Sequence, residues 1–260
     1  MQILDHGYLK EIEHYGTDER IIEAARMSTG KGFLGWEPGV CPTCDGDILN
    51  IPADDNGDYS ICNDCNGTGK IAGDINLLRR LWVKKHATPF EMAGLIVEVQ
   101  APIMVFREWH RHRTQSYNEM SARYTPLPDL NYIPSVERLM LNAGTKNTQA
   151  GTVKGSDELT EIMAENFRAC LKDMYEQQEK FYQASLRAGV PKELARVHLP
   201  VGRYSRMRAA ANLRNWLAFL TLRMAPDAQW EIRQYANAVG ELVAKNFPRT
   251  WQLFMEGKGG

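Results

Sequence analysis

The sequence has little net charge and no long apolar run, and each of these features argues against a class of protein. Its 31 basic and 32 acidic residues leave a formal net charge of -1, so general electrostatic attraction to nucleic acid or to membranes is not expected. No apolar segment approaches the roughly eighteen residues of a membrane span. The N-terminus lacks the basic start and apolar core of a signal peptide. We therefore expect a cytoplasmic protein without nucleic-acid or membrane partners.

The most informative segment covers residues 107–124, where four arginines and two histidines are interspersed with small polar residues. Arginine stays charged and presents a planar fork of donors, so several arginines together favour phosphate or another multiply charged anion. Residues two apart share a face in extended backbone but not in a helix. Arg111 and Arg113 should therefore hold one ligand from non-helical backbone. The alternative is a solvated arginine-rich helix face whose charges are paired with Glu108 and Glu119.

The pattern of apolar residues predicts an α+β fold, in which a sheet packs against long helices. Strands are expected mainly before residue 135, and helices dominate after residue 157. The segment 141–155 is rich in Asn, Thr, Gly and Lys, which predicts a mobile loop. The predicted strands are residues 2–4 and 94–100. The predicted helices are residues 74–85, one that starts at Pro102, 157–188, 209–224 and 228–247, with Pro248 ending the last.

Four of the five cysteines form two CxxC pairs, Cys41/Cys44 and Cys62/Cys65, with seventeen residues between the pairs. This spacing suits four thiolates around one tetrahedral zinc ion, with no open coordination position for catalysis. Reduced cysteines in a loop and a catalytic dithiol are the alternatives. A module of this size cannot fold on apolar burial alone, so metal binding would stabilise it. We expect residues 36–73 to be a structural zinc insert in a domain made of residues 1–35 and 74–260.

The run Arg111-His112-Arg113, followed after seven residues by Ser121, resembles the signature of the flavin-dependent thymidylate synthases. Three further blocks, residues 86–91, 194–200 and 222–232, resemble blocks of the same family in the same order. The resemblance extends from the start of the chain to about residue 254. It is interrupted near residues 36–73 and 139–156, and the four-cysteine insert departs from the usual family pattern.

The resemblance implies reductive methylation of dUMP to dTMP. Methylenetetrahydrofolate would donate the carbon, FAD would carry the hydride and NADPH would be the reductant. It also implies a homotetramer whose active sites are shared between subunits. The long amphipathic helices have enough apolar surface for such packing.

The resemblance also implies roles for individual residues. Arg223 is the expected catalytic residue, because a guanidinium beside the uracil ring would stabilise its anion. Glu108 stands where the family often has glutamine, and Arg107 or Arg111 would have to compensate its charge; Ala218 stands where it often has asparagine. The expected nucleotide-binding residues are Glu108, Arg111, Glu119, Met120, Ser121, Ala122, Arg123, Arg196 and Arg223. The expected flavin-binding residues are Ser28, His86, Thr88, Arg111, His112, Arg113, Asn212 and Arg214.

Two other interpretations remain open from the sequence. A zinc-ribbon nucleic-acid-binding protein would use arginines on phosphates and aromatic residues on bases, but it does not explain the balanced charge. A different flavoenzyme acting on a nucleotide would differ in its methyl acceptor. Residue by residue, His86 could simply be an exposed histidine, and Arg196 and Arg223 could form surface ion pairs.

Overall fold

The computed structural model describes residues 1–47, 61–141 and 159–257 and confirms the predicted α+β class. Its strands are β1 (Gln2–Ile3), β2 (Gly7–Tyr15), β3 (Gly39–Val40), β4 (Lys70–Ile71), β5 (Gly94–Pro102), β6 (Ser116–Glu119) and β7 (Tyr204–Asn212). Its α-helices are α1 (Asp18–Arg26), α2 (Asp74–Val83), α3 (Ile103–Trp109), α4 (Val136–Leu141), α5 (Glu161–Arg187), α6 (Lys192–Ala195), α7 (Leu213–Arg223), α8 (Trp230–Asn246) and α9 (Pro248–Glu256).

The chain divides into two compact units. The first comprises Met1–Glu13, Leu95–Ala211 and Asn215–Leu242. The second comprises His14–Gly94, Asn212–Arg214 and Val243–Gly260.

The first unit is organised around a five-stranded sheet with the order β1-β2-β5-β7-β6. Strand β6 runs antiparallel to β7, with Glu119 opposite Met207. The buried face of β5 follows from alternation, since Leu95, Val97 and Val99 are inaccessible while the residues between them are not. Buried aromatic rings cover this unit's core: Trp109, Trp216, Phe219 and Tyr235.

The second unit packs α1 against α2 and α9. Ile21, Ile22 and Leu78 are fully buried, as expected for apolar residues at helical spacing. Asp18 at the start of α1 accepts hydrogen bonds from the backbone nitrogens of Arg249 (2.8 Å) and Thr250 (3.2 Å), which are orphan donors in the first turn of α9. A distant carboxylate therefore stabilises the start of this helix.

Several predicted boundaries were wrong. Residues 209–212 belong to β7 and not to a helix, so a nine-residue strand lies well beyond residue 135. Pro248 begins α9 instead of only ending the preceding helix, because its missing N–H costs nothing in a first turn. The predicted loop at 141–155 lies, apart from Leu141, outside the described residues. Among the residues that are described, no helix is long and apolar enough to cross a membrane.

The long helix α5 confirms the predicted amphipathic segment but leaves much of its apolar face uncovered. Ile162, Met163, Phe167, Met174 and Phe181 are all exposed, with Ile162 at 74%. Exposed apolar side chains in such number on one helix are typical of interaction surfaces.

Candidate active site

The arginine-rich segment forms a turn directly after α3. Residues 110–115 are outside regular helix and strand, as expected for Arg111 and Arg113. Hydrogen bonds to its backbone hold the turn in place. The Tyr117 hydroxyl donates to the backbone oxygens of Trp109 (3.1 Å) and His112 (2.7 Å). The indole of Trp109 is fully buried and donates to the side-chain oxygen of Gln115 at 3.0 Å. The core of the first unit thus holds the turn in one shape.

Glu108, His112 and Arg223 form a hydrogen-bonded cluster within the first unit. Arg223, the last residue of α7, donates from Nε to His112 Nε2 at 2.9 Å. Its Nη1 donates to Glu108 Oε2 at 3.0 Å, and its Nη2 donates to the Glu108 backbone oxygen at 2.8 Å. The Glu108 carboxylate also lies 3.6 Å from Arg111 Nε. One carboxylate therefore compensates two guanidinium groups, and Arg223, which the sequence did not indicate as a partner of Glu108, is the closer of the two.

His112 is held in its neutral form by this arrangement. Burial lowers its pKa, and the positive charge of Arg223 lowers it further, to about 4. Since Nε2 accepts from Arg223, the remaining ring proton is on Nδ1. The imidazole also packs edge-on against Phe219, with ring centroids 4.9 Å apart. His112 is therefore a fixed acceptor beside Arg223 at neutral pH.

The predicted nucleotide-binding segment continues from the edge strand β6. Glu119 ends β6, and the backbone nitrogen of Met120 donates to the backbone oxygen of Arg206 at 2.8 Å. The Ser121 hydroxyl accepts from the backbone nitrogen of Arg123 at 3.3 Å, and Ala122 is buried. This turn presents polar groups along the sheet edge.

Two predicted nucleotide-binding arginines have different surroundings. The Arg123 Nε lies 3.4 Å from a carboxylate oxygen of Glu193, and both side chains are exposed. Arg196 lies in the 3-10 turn Arg196–His198 that follows α6. Arg113 is exposed in the turn after α3.

Of the predicted site residues in the first unit, the structure brings Glu108, Arg111, His112 and Arg223 together. The roles of these four residues in binding and catalysis remain predictions.

The second unit contains the remaining predicted flavin-binding residues. Ser28, His86 and Thr88 line two adjoining cavities of about 640 and 440 Å³, which both include His86. Asn212 ends β7 immediately before α7. Arg214 is ion-paired with Glu91.

The sequence reasoning missed several cavity residues, among them two arginines and an asparagine. Arg26, Asn76 and Arg80 line the larger cavity together with Ser28 and His86. For Asn76 and Arg80 a signal was available, because positions 76, 77 and 80 recur at helical spacing and share one face of α2.

The four cysteines lie in the second unit and converge as predicted. Their sulfur atoms lie within 4.8 Å of one another, and all four residues are buried. Cys41 Sγ is 3.7 Å from Cys62 Sγ, and Cys44 Sγ is 3.8 Å from Cys65 Sγ. A zinc ion with Zn–S distances of about 2.3 Å in tetrahedral geometry separates its sulfurs by about 3.8 Å. The donor set fits this metal.

The surroundings favour a thiolate at Cys65 and oppose one at Cys44. The amide of Gly69 donates to Cys65 Sγ at 3.3 Å. Burial opposes ionisation of Cys65, but this amide and the neighbouring sulfurs lower its pKa to about 6. Burial and the other thiols raise the pKa of Cys44 to about 12. A bound cation would be needed for all four sulfurs to be charged together.

The mixed α/β fold and the cluster of guanidinium groups around Glu108 are consistent with an enzyme, and comparisons with known proteins identify its family. The family described as thymidylate synthase complementing protein, Thy1, matches residues 11–249, and the chain belongs to this family. A flavin-dependent thymidylate synthase of Thermus thermophilus is 33% identical over 254 residues, covering 98% of this chain and 77% of the relative. The enzyme of the same name from Anaplasma marginale is 34% identical over 257 residues, covering 98% and 74%.

The chain also has the fold of a solved enzyme structure. The UMP/dUMP methylase PolB from Streptomyces cacaoi, bound with 5-Br UMP, superposes with a TM-score of 0.72 and 26% identity. The likeness covers 98% of this chain and 96% of that one. The chain is thus a methyltransferase enzyme of the Thy1 family.

Proposed function

We propose that this protein methylates dUMP reductively to dTMP, with methylenetetrahydrofolate as carbon donor, FAD as hydride carrier and NADPH as reductant. Family membership and the names of the relatives support the reaction. The observation that carries the proposal is the convergence of Arg223 with Glu108, Arg111 and His112, which lie more than 110 residues earlier in the sequence.

Arg223 is the proposed catalytic residue. Uracil C5 is a weak carbon nucleophile until the ring gains electron density, and a guanidinium in a partly dry site would stabilise that density. The Arg223 side chain is only 15% exposed, so water screens its charge weakly. Its bonds to Glu108 and His112 leave one N–H on each terminal nitrogen for a ligand. Glu108 and His112 would therefore orient Arg223 without using all its donors.

The other site residues would divide between two ligands. Flavin, when bound, supplies hydride transfer, and the protein's task is to place it against the pyrimidine. The nucleotide would contact Glu108, Arg111, Glu119, Met120, Ser121, Ala122, Arg123, Arg196 and Arg223. The flavin would contact Ser28, His86, Thr88, Arg111, His112, Arg113, Asn212 and Arg214.

The four cysteines would hold a structural zinc ion in an insert of residues 36–73, within a domain of residues 1–35 and 74–260. The sulfur spacing supports four-thiolate ligation. A site with four thiolates has no open position, so the metal would stabilise the insert and take no part in catalysis.

The protein would act as a homotetramer with shared active sites. The exposed apolar side chains of α5 support this, because they form a surface suited to a second copy. The alternative of a zinc-ribbon nucleic-acid-binding protein would use the same cysteines, but the family match over residues 11–249 favours the enzyme.

The experiment that tests the proposal measures tritium release from C5-tritiated dUMP by the purified protein. We expect release only when methylenetetrahydrofolate and NADPH are both present, together with a flavin absorption spectrum. Omitting each component in turn provides the controls. A protein that binds no flavin after added FAD, and releases no tritium in the complete mixture, would contradict the proposal.

A further inference from the structure

A buried ion pair joins the long helix α5 to the start of β7 in the first unit. Arg203 directly precedes β7 and is only 1% exposed. Its Nη1 lies 2.8 Å from a carboxylate oxygen of Glu179 in α5, and that side chain is 14% exposed. Two charges lose their hydration when they are buried, and replacing such a pair with uncharged groups often leaves stability unchanged. Stability alone is therefore a poor explanation for this pair.

Arg203 also holds the backbone that follows the predicted nucleotide-binding turn at Ser121. Its Nη2 donates to the backbone oxygen of Leu127 at 3.2 Å, and its Nη1 donates to Asp129 Oδ1 at 3.0 Å. The Leu127 side chain is buried. This part of the chain is therefore fixed against the start of β7 by one guanidinium group.

The turn itself is tied to the same side of the fold. The backbone oxygen of Ser121 accepts from the backbone nitrogens of Tyr124 (3.0 Å) and Thr125 (3.2 Å). Lys192, at the start of α6, donates from Nζ to the backbone oxygen of Tyr124 at 2.9 Å. Two cations, Lys192 and Arg203, thus hold the chain by its backbone oxygens just after Ser121.

Arg196, another predicted nucleotide-binding residue, lies against the same part of α5. It begins the 3-10 turn that ends at His198. His198 Nε2 lies 3.0 Å from the backbone oxygen of Gln178, which directly precedes Glu179 in the helix. The carboxylate that pairs with Arg203 therefore belongs to the turn of α5 that contacts the Arg196 segment.

We propose that the buried pair of Arg203 and Glu179 positions the nucleotide-binding side chains. It sets the distance of Ser121 and Arg123 from Arg196, and the inference rests on the proposed function, in which these three residues contact dUMP. Arg203 is too deeply buried to touch the ligand, so it acts through the backbone that it holds. An anion that is bound by several donors depends on their spacing, because a displacement of about 1 Å can reduce the rate a hundredfold.

The first test separates positioning from stability. Arg203→Met leaves the buried Glu179 carboxylate with no cation and should lower Tm clearly. Arg203→Met/Glu179→Gln removes this unpaired charge, and the amide oxygen can still accept from Gln183, which now bonds to Glu179 at 2.7 Å. The Tm of the double variant should therefore be close to that of the wild type, although the contact with Leu127 is lost.

Binding of dUMP should not recover with stability. We expect the double variant to have a KM for dUMP about tenfold above that of the wild type, with kcat changed by less than about twofold. The assay is tritium release from C5-tritiated dUMP, and the flavin spectrum shows that cofactor binding is retained. Deoxyuridine, which lacks the phosphate, should inhibit both proteins with the same inhibition constant.

Arg203→Lys is a second variant with the same expected rise in KM. It keeps a positive charge beside Glu179, but one ammonium cannot replace the planar fork that reaches both Glu179 and Leu127. Its fold should therefore be retained without the double replacement.

Arg168→Met/Glu165→Gln is the matched control. Arg168 also pairs with a carboxylate of α5, that of Glu165 at 3.0 Å, and also donates to a backbone oxygen, that of Pro134 at 3.0 Å. Pro134 lies further along the chain from the predicted nucleotide-binding turn than Leu127 does. The KM of this variant for dUMP should equal that of the wild type.

Amide hydrogen exchange gives a readout that does not depend on turnover. The amides of Tyr124 and Thr125 should exchange faster in Arg203→Met/Glu179→Gln than in the wild type at equal Tm, because their turn is no longer held. A wild-type KM in the double variant and in Arg203→Lys would overturn the proposal and leave the proposed function intact. A wild-type protein that releases no tritium would instead contradict the proposed function itself.

Discussion

Replacing Arg223 with alanine should separate catalysis from stability at the proposed active site. The change removes the donors to His112 and Glu108 and leaves the Glu108 carboxylate without its nearest cation. The Glu108 side chain is 32% exposed, so water can solvate part of the lost contact. We therefore expect a stability loss of about 1 kcal/mol, at the low end for an unpaired group. For a chain of this size, that lowers Tm by about 2–4 °C.

The effect on turnover should be much larger than the effect on stability. Loss of one preorganised donor to a developing anion costs about 3 kcal/mol, or about a hundredfold in kcat. The assay is tritium release from C5-tritiated dUMP, with the flavin spectrum showing that cofactor binding is retained. Arg20→Ala is the control, because the exposed Arg20 side chain pairs with Glu23 on the same helix and lies in the second unit. Near-normal turnover in Arg223→Ala would remove Arg223 from its catalytic role.

The same variant has a readout that does not depend on activity. Burial is the main cause of the low pKa of His112, and the charge of Arg223 is the second. In Arg223→Ala, the pKa of His112 should therefore rise from about 4 but stay below 6.5, as followed by NMR titration of the imidazole. A pKa that stays at its original value would show that the two side chains are not in contact in solution.

Three further predictions concern pH, the metal and a helix cap. The folded-state pKa of His112, about 4, lies below its unfolded value near 6.5, so its stabilising contribution is complete above pH 6.5 and is lost as the pH falls toward 4. Urea unfolding across this range should show a smaller decrease in the free energy of unfolding for His112→Gln than for the wild type. Cys41→Ser should lose stoichiometric zinc after gel filtration, and one retained zinc per chain would contradict four-thiolate ligation. Asp18→Ala should lower the free energy of unfolding by about 2 kcal/mol, since its carboxylate accepts from the Thr250 amide and hydroxyl, whereas the exposed Asp227→Ala should be neutral.

Elements with a clear periodicity of apolar residues could be predicted from the sequence. Predictions failed where the intrinsic preference of the residues for a helix disagrees with their burial in the sheet. The apolar, β-branched run of β5 was recognised, whereas residues 209–212 were assigned to a helix. Three of these four residues are alanine, whose intrinsic preference for helices is overridden by pairing in the sheet. The alternation of exposed Arg206 and Arg208 with buried Met207 was the available signal for β7. Strand β2 has several charged, helix-favouring residues, so its pairing with β1 and β5 decides its conformation.

The candidate site shows a different limit. The resemblance to a family singled out Glu108, His112 and Arg223, but their mutual hydrogen bonds span 111 and 115 residues of sequence. A single sequence has no local pattern that reports such a contact. The four cysteines were easier, because ligand spacing within each CxxC pair is a local property of the chain.

The two ends of the predicted four-cysteine insert, residues 36–73, lie next to each other in the second unit. The backbone nitrogen of Asp74 donates to the backbone oxygen of Gly35 at 2.8 Å, so the chain departs and returns at nearly the same point. Because its two ends touch, such a segment can change in length between them with little effect on the flanking helices. The proposed insert, residues 36–73, is therefore the part of the second unit where a fluorescent reporter or an affinity tag should be accommodated best.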